Sequence, residues 1–250
     1  MRIALISDIH GNGTALEAVL TDIGQQNVDS IVCLGDVATL GPQPREVLER
    51  IRELGCPCIL GNHESALFEP DKALYFHIAP HLISSLEWCA QQLSADDLGF
   101  MRTFQATVKI PLNDSRSMLC YHGSPLSNID NIFPDTPFEE LGRFLSEYSN
   151  YNVMAGGHTH VQMLRQFKGR LVINPGSVGS AFFAPSLSAT RPTLLPWAEY
   201  GLLDTSGDAL SVELRRVPFD LVAFLKVLDA SSLPMKDWWR EQYTSPPVKW

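Results

Sequence analysis

The chain has 250 residues, of which 45% are hydrophobic and 19% are charged, and its formal net charge is −9. That length and hydrophobic content are sufficient for one domain with a sizeable core. The negative charge excludes a binder of long nucleic acid, because such proteins neutralise phosphates with clustered lysines and arginines. No export signal is visible at the N-terminus and no run reaches the roughly 18 apolar residues of a membrane span. We therefore expect a cytoplasmic protein that does not contact a membrane.

The first sixty residues alternate between strand and helix patterns. Short apolar, β-branched runs predict strands, and apolar residues at helical spacing predict helices. In chain order the predicted elements are a strand at 2–7, a helix at 13–26, a strand at 30–34, a helix at 44–54 and a strand at 58–60. Such a βαβαβ unit forms a parallel sheet, whose ligands bind beyond the carboxyl ends of the strands. Asp8, Asp36 and Asn62 follow the three strands in turn and are expected to meet there.

The middle of the chain is predicted to contain helices followed by strands. Residues 64–104 are mostly helical in pattern, with Ser94 as a helix N-cap. Residues 106–110, 117–121 and 152–155 are predicted strands. Between the last two, Thr136 to Glu139 has the pattern of a capping box with proline at the first helical position, and opens a helix that ends near Tyr148.

Two hairpins and two helices are predicted for the remainder. The hairpins pair residues 162–167 with 170–173 and residues 200–204 with 209–217; an irregular loop covers 180–196, and helices cover 220–228 and 236–243. The sum predicts an α/β fold in which two stacked sheets have helices outside, an α/β/β/α sandwich. We expect residues 1–217 to form the main domain and residues 218–250 to form a helical appendage packed on it.

Polar motifs follow the apolar runs that are predicted to be strands. In chain order they are Asp8-Ile9-His10, Gly35-Asp36, Gly61-Asn62-His63-Glu64, His122 and Gly157-His158-Thr159-His160. Together they contribute carboxylates, an amide and imidazoles, which are typical ligands of divalent transition metals. An Asp-x-His triplet alone is common, so the prediction of a metal site depends on the occurrence of all these motifs in this order. Because no thiolate takes part, manganese, iron or zinc is favoured, with nickel or cobalt also suitable, over magnesium alone.

This order of motifs resembles that of the calcineurin-like metallophosphoesterases. The resemblance covers about residues 1 to 180, and residues 174–179 are similar to the segment that follows the last metal ligand in the bacterial and archaeal small-phosphodiesterase branch. It implies the four-layer sandwich, two divalent metal ions and hydrolysis of a phosphoester. It also implies that Asp36 bridges the two ions, through its two oxygens. The remaining ligands would be Asp8, His10 and His160 for one ion and Asn62, His122 and His158 for the other.

Asp36 and His63 are the candidate catalytic residues. A hydroxide bridging the two ions would attack phosphorus in line with the leaving group, so that no protein nucleophile is required. His63 stands beside a ligand without being assigned to a metal, and is therefore the candidate general acid for the leaving alkoxide; the alternative is a structural histidine in a tight turn. Glu64 would either orient the His63 ring or be the first solvated residue of the next helix.

Other polar residues near the motifs have two open interpretations each. His77 and His81 would contact substrate or simply lie on the surface. Ser177 and the amides around Gly176 and Gly179 would donate hydrogen bonds to a phosphate, or belong to a plain turn after a strand.

Three residues depart from the protein serine/threonine phosphatase branch. Thr39 stands where that branch has an acid that orients the catalytic histidine, and Leu40 and Leu60 stand where it has arginines. Because arginines bind dianionic phosphate, their replacement weakens the phosphomonoester interpretation. We therefore predict a dinuclear metal-dependent phosphodiesterase acting on a small phosphoester. The alternatives are a phosphomonoesterase for nucleotides, dinucleoside polyphosphates or serine/threonine phosphoproteins, and an inactive binding or scaffold member of the family.

Overall fold

The computed structural model describes residues 1–113, 115–182, 193–207 and 209–244. Its strands are β1 (Arg2–Ile6), β2 (Ser30–Cys33), β3 (Val108–Pro111), β4 (Ser117–Cys120), β5 (Val153–Ala155), β6 (Met163–Phe167), β7 (Arg170–Asn174), β8 (Trp197–Asp204) and β9 (Ser211–Pro218). Its helices are α1 (Gly13–Ile23), α2 (Pro44–Leu54), α3 (Asn62–Phe68), α4 (Ile83–Gln92), α5 (Ala95–Met101), α6 (Phe138–Leu145), α7 (Leu221–Ala230) and α8 (Lys236–Thr244). None of the described helices has the length and apolar character needed to cross a bilayer.

The strands form two sheets. The first has the order β2-β1-β8-β9, with β1 parallel to β2 and antiparallel to β8. The second has the order β3-β4-β5-β7-β6, in which β4, β5 and β7 run parallel. In both sheets the parallel strands are buried on both faces, as expected for strands with other layers on each side. Their carboxyl ends carry the polar motifs.

Alternation along the strands divides the interior into three layers. Ile3 and Leu5 of β1 face the second sheet and pack against its residues Met118 and Val153. Ala4 and Ile6 point the other way, into the core formed with the helices. On the outer face of the second sheet, the buried side chains are Leu119, Tyr121, Met154 and Val172, together with Leu141 and Leu145 of α6. Two sheets with helices on both outer sides are the predicted four-layer sandwich, which is confirmed.

Several local predictions hold at the level of single residues. Helix α2 has the predicted bounds, because Pro44 fixes its first turn and Gly55 ends it with a left-handed backbone of φ 58°. Ser94 caps α5, since its side chain accepts a hydrogen bond from the Asp97 amide. The hairpin of β6 and β7 turns at Lys168 and Gly169, as predicted.

Two local predictions are wrong. Residues 58–60 do not form a regular strand, because Cys58 and Ile59 make only isolated bridges, to Cys33 and Gln105. The Thr136 capping box is also absent. The Thr136 hydroxyl accepts a hydrogen bond from the Phe133 amide at 2.7 Å, and α6 begins after Pro137 without a side-chain cap. Most of the predicted irregular loop at 180–196 lies outside the described residues.

Helices α7 and α8 pack on the helical side of the first sheet. Phe224, Leu228, Trp239 and Tyr243 belong to the same buried cluster as α1 and α2. The Tyr243 hydroxyl donates a hydrogen bond to the Gly179 carbonyl at 2.9 Å. The C-terminal helices therefore contact the segment that follows β7, next to the candidate site.

Candidate metal centre

The predicted ligands converge at one edge of the two sheets. Each side chain comes from a residue that directly follows a strand or opens a helix: Asp8 and His10 after β1, Asp36 after β2, Asn62 at the start of α3, His122 after β4, and His158 and His160 after β5. All but His158 are buried, and His158 is half-buried. Residues separated by up to 152 positions therefore form one polar cluster in the interior.

Five of these residues have a left-handed backbone. The angle φ is 53° at Asp8, 47° at His10, 55° at Asp36, 69° at His158 and 56° at His160. Residues other than glycine rarely adopt this conformation, and each costs of order 1–3 kcal/mol. Such strain persists only where surrounding contacts fix the chain. Here the amides of Asp8 and His10 donate to the Gly35 and Asp36 carbonyls, both at 3.0 Å, which ties the loop after β1 to the loop after β2.

The first group of ligand atoms comes from Asp8, His10 and His160. His160 Nε2 lies 3.3 Å from Asp8 Oδ1 and 3.1 Å from His10 Nε2. The other oxygen of Asp8 accepts a hydrogen bond from the His158 amide at 3.1 Å. Ligands held about 2.0–2.2 Å from one ion lie roughly 3.0–3.4 Å apart, so this spacing suits a shared cation.

A second group comes from Asp36, Asn62, His122 and His158. Asn62 Oδ1 lies 3.0 Å from both His122 Nε2 and His158 Nδ1. The Asn62 amide nitrogen donates to the Phe76 carbonyl at 2.8 Å, which directs its oxygen into the cluster. His122 Nε2 is also 3.3 Å from Asp36 Oδ2. The two histidines of the Gly157-His158-Thr159-His160 motif therefore point into different groups.

Asp36 lies between the two groups, but only one of its oxygens faces both. Its Oδ2 is 3.3 Å from His122 Nε2 and 3.9 Å from His10 Nε2. Its Oδ1 accepts a hydrogen bond from the His63 amide at 3.0 Å. Only Oδ2 is therefore directed toward both groups, and a bridge between two ions through both oxygens stays a prediction.

Hydrogen bonds on the outer side of the rings show that the cluster is suited to cations. His122 Nδ1 lies 2.7 Å from the Leu34 carbonyl and His160 Nδ1 lies 2.8 Å from the Ser180 carbonyl. A carbonyl only accepts, so these nitrogens carry protons, and in the neutral form of each ring the lone pair of Nε2 points inward. The inward lone pairs face carboxylate and amide oxygens, an arrangement that requires a proton or a metal ion between them. Asp8 Oδ1 is buried without a hydrogen-bond partner among the described residues.

The charges of the cluster are strongly coupled. Burial opposes ionisation of Asp8, but the neighbouring His160 and His122 together outweigh it and lower the pKa of Asp8 to about 2. Burial likewise opposes protonation of His122, whereas Asp36 and Asp8 raise the pKa of His122 to about 10. Protons on these rings therefore stabilise the carboxylates, and a bound metal would displace them.

Glu64 has neither of the two roles expected for it. It is wholly buried, and its carboxylate accepts hydrogen bonds from the amides of Asp36 at 2.9 Å, Val37 at 2.8 Å and Gly61 at 3.0 Å. Burial and the nearby charge of Asp36 raise the pKa of Glu64 to about 7. Glu64 thus fixes the backbone on both sides of the central carboxylate. A glutamate three residues after a helix N-cap is the capping-box pattern, which is the sequence signal that was missed.

His63 is oriented by Thr39. The Thr39 hydroxyl lies 2.9 Å from His63 Nδ1, so a threonine occupies the place of the orienting acid. His63 Nε2 is 3.9 Å from Asp36 Oδ2, and the ring contacts that of His10 edge to face, with centroids 4.8 Å apart. His10, Asp36 and His63 also form a group whose ligand atoms lie within 4.8 Å of one another. The position of His63 therefore suits either an acid or a ligand.

The other polar candidates do not belong to the two ligand groups. Ser177 Oγ donates to the Asp8 carbonyl at 2.7 Å, and the Gly179 amide donates to the same carbonyl at 3.0 Å. These groups hold the Asp8 backbone instead of being available to a phosphate. His77 is exposed, and exposed His81 packs on Trp238 with ring centroids 5.2 Å apart.

The chain is similar in sequence and fold to several known proteins. An uncharacterized protein of Methanocaldococcus jannaschii is 26% identical over 249 residues, which cover 93% of each protein. The metallophosphoesterase of Sphaerobacter thermophilus is 26% identical, with a TM-score of 0.74 over 96% of this chain and 98% of its own. A hypothetical protein of Pyrococcus horikoshii shares the fold, with a TM-score of 0.82, 20% identity and 99% of both chains covered. Residues 1–193 match the calcineurin-like phosphoesterase superfamily domain. The chain therefore belongs to the calcineurin-like phosphoesterase superfamily.

Proposed function

We propose that this protein is a dinuclear metal-dependent phosphodiesterase that hydrolyses small phosphodiesters to a phosphomonoester and an alcohol. The observation that carries the proposal is the convergence of two ligand groups on Asp36 Oδ2, since this oxygen is near His122 on one side and His10 on the other. Membership of the phosphoesterase superfamily supports the reaction class. The ions are proposed to be manganese, iron or zinc, because the donors are oxygen and nitrogen.

Each ligand residue has a proposed role. The residues that would hold the ions are Asp8, His10 and His160 for one, Asn62, His122 and His158 for the other, and Asp36 for both. When bound, the ions supply the Lewis acidity that activates water and neutralises charge on the phosphoryl oxygens. His63 Nε2, which faces the cluster, donates a proton to the departing alkoxide. Thr39 keeps the His63 ring in that orientation through the contact with Nδ1.

The charge around the cluster favours a diester over a monoester. Among the described residues, the recorded ion pairs of Asp8 and Asp36 are with histidines. Leu40 is buried and Leu60 is half-buried at the positions where the protein phosphatase branch has arginines. A phosphodiester carries one negative charge fewer than a monoester on the reacting phosphate. The absence of arginine contacts therefore costs a diester less binding free energy than it costs a monoester.

The test is a comparison of bis(p-nitrophenyl) phosphate with p-nitrophenyl phosphate on the manganese-loaded protein. We expect kcat/KM for the diester to exceed that for the monoester. Leu60 borders an open cavity of about 270 Å³, so an arginine has room there. Leu60→Arg is expected to shift the ratio toward the monoester, whereas Leu60→Met, which keeps the bulk without charge, is the matched control and leaves it unchanged.

Three results would contradict the proposal. A preference of the unsubstituted protein for the monoester by more than about tenfold, roughly 1.4 kcal/mol of transition-state stabilisation, would favour the phosphomonoesterase. Metal binding without turnover of either ester would favour an inactive binding member of the family. If the purified protein binds no transition metal, neither the phosphodiesterase nor the phosphomonoesterase interpretation holds.

A further inference from the structure

His10 differs from the other inward-pointing histidines in the surroundings of its outer nitrogen. His10 Nε2 faces the cluster, 3.1 Å from His160 Nε2, but its Nδ1 is buried and has no hydrogen-bond partner among the described residues. By contrast, His122 and His160 each donate the outer N–H to a carbonyl. Histidines that bind metals almost always donate this N–H, because the bond fixes the tautomer and the orientation of the ring. His10 therefore requires an acceptor.

A second unpartnered donor lies on the C-terminal helix. Trp239 of α8 is 8% exposed, and its indole Nε1 is also buried without a partner among the described residues. His10 and Trp239 line the same cavity of about 10 Å³, which is at the lower limit of the space that can hold one water molecule. Burying two N–H groups without acceptors would cost about 1–3 kcal/mol each.

We propose that Trp239 is a positioning residue for His10, acting through a single buried water that accepts hydrogen bonds from His10 Nδ1 and Trp239 Nε1. Leu40 and Gly41 line the same cavity. Buried waters typically make about three hydrogen bonds, of which these two N–H groups would supply two. The inference rests on the proposed metal centre and extends its outer shell to a helix beyond residues 1–193, the part that matches the family.

The same helix is also connected, through Gly179 and Ser180, to the other histidine of this group. Tyr243 donates to the Gly179 carbonyl at 2.9 Å, and Asn12 donates to the same oxygen at 3.2 Å. The next residue, Ser180, accepts the hydrogen bond from His160 Nδ1. Helix α8 thus lies behind both His10 and His160, which supports a role for it in shaping the site of the first ion.

The variant that tests the water link is Trp239→Phe, which removes the N–H and keeps an aromatic ring. Outer-shell partners of metal-bound histidines typically change metal affinity by about 10–100-fold. We therefore expect the zinc dissociation constant of the full chain, measured by calorimetry, to rise at least tenfold. Trp238→Phe is the matched control, because the neighbouring indole packs on His81 and does not line the cavity. It should bind zinc as the unsubstituted protein does.

A spectroscopic measurement on the unsubstituted protein keeps the test independent of folding. In zinc-loaded protein with ¹⁵N-labelled histidine and tryptophan, the His10 Nδ1 proton and the Trp239 indole proton should both show cross-relaxation to bound water. In Trp239→Phe the His10 proton should exchange with solvent at least tenfold faster. Unchanged zinc affinity and exchange in Trp239→Phe would overturn the water link while leaving the proposed function intact. Failure of the unsubstituted protein to bind zinc, manganese or iron would overturn both the water link and the proposed function.

Discussion

At the scale of single residues, the two oxygens of each aspartate carboxylate in the site have different roles. Asp8 and Asp36 each use one oxygen to accept a backbone amide and direct the other into the cluster. Glu64 in turn holds the Asp36 amide. The position of each inward oxygen is thus fixed by hydrogen bonds before any ion binds, which reduces the reorganisation that binding requires.

His63 provides a test at this scale, because its position suits both an acid and a ligand. His63→Ala is expected to retain its metals and to lose about 10²–10⁴-fold in turnover of alkyl esters, which need protonation of the leaving group. The loss should be smaller for p-nitrophenyl esters, whose leaving group is a weak base. His81→Ala, which removes an exposed histidine, is the control for both measurements.

Metal analysis separates the two roles of His63. If His63→Ala loses an ion, His63 is a ligand in the group that it forms with His10 and Asp36. If the losses for alkyl and p-nitrophenyl esters are equal, proton donation is not its role.

Glu64 provides a second test, in this case of stability. Glu64→Gln replaces one acceptor oxygen by an NH₂ group that faces backbone donors, so a buried amide loses its partner. The expected cost is about 1–3 kcal/mol, or roughly 2–12 °C in Tm for a chain of this size. Glu87→Gln on the exposed face of α4 is the matched control and should leave Tm unchanged. Equal Tm values for the two variants would show that the three amide contacts contribute little.

At the scale of secondary structure elements, the site depends on close approach of loops that end different strands. A Cβ added at Gly61 would lie 2.1 Å from Asp36 Oδ1, whereas at Gly99 in α5 it would meet nothing within 4 Å. We expect Gly61→Ala to lower both Tm and metal content. Gly99→Ala should raise stability by about 0.5–1 kcal/mol, because alanine loses less conformational freedom in a helix. Full metal occupancy in Gly61→Ala would show that the loop can move without disturbing Asp36.

Local sequence signals predict elements well where one residue fixes the backbone. Pro44 begins α2 and Gly55 ends it, and the predicted bounds match. Where other contacts, near or distant in the chain, compete with the predicted ones, the same reasoning fails. Residues 58–60 are apolar enough for a strand but make only isolated bridges, and the Thr136 hydroxyl accepts a hydrogen bond from Phe133 instead of capping α6.

The sequence motifs predicted which side chains come together at the candidate site, but not the contacts that support them. The ligands stand in short motifs after apolar runs, and strand ends meet at one edge of a sheet. The left-handed backbone of Asp8 or His10 has no comparable signal, because residues other than glycine seldom adopt it. The proximity of Trp239 to His10 follows only from the packing of α8 on the first sheet, over a separation of more than two hundred residues.

At the scale of the whole molecule, folding brings the buried carboxylates and the inward-facing histidine nitrogens together in one cluster. The chain as a whole has a net charge of −9. Two divalent ions would offset four of those charges, so metal binding and folding stability are coupled. An ion present at about one hundred times its dissociation constant stabilises the folded state by about 2.7 kcal/mol. For a chain of this size that corresponds to roughly 5–11 °C in Tm.

We therefore expect manganese or zinc to raise the Tm of the chelator-treated protein by several degrees, as measured by calorimetry. Asp36→Asn should abolish most of this increase, because Asp36 Oδ2 lies between the two ligand groups and its loss weakens both. Asp71→Asn, which neutralises an exposed carboxylate, controls for the change in net charge and should respond as the unsubstituted protein does. An Asp36→Asn protein that keeps the full increase, with two bound ions by elemental analysis, would refute a bridging role for Asp36.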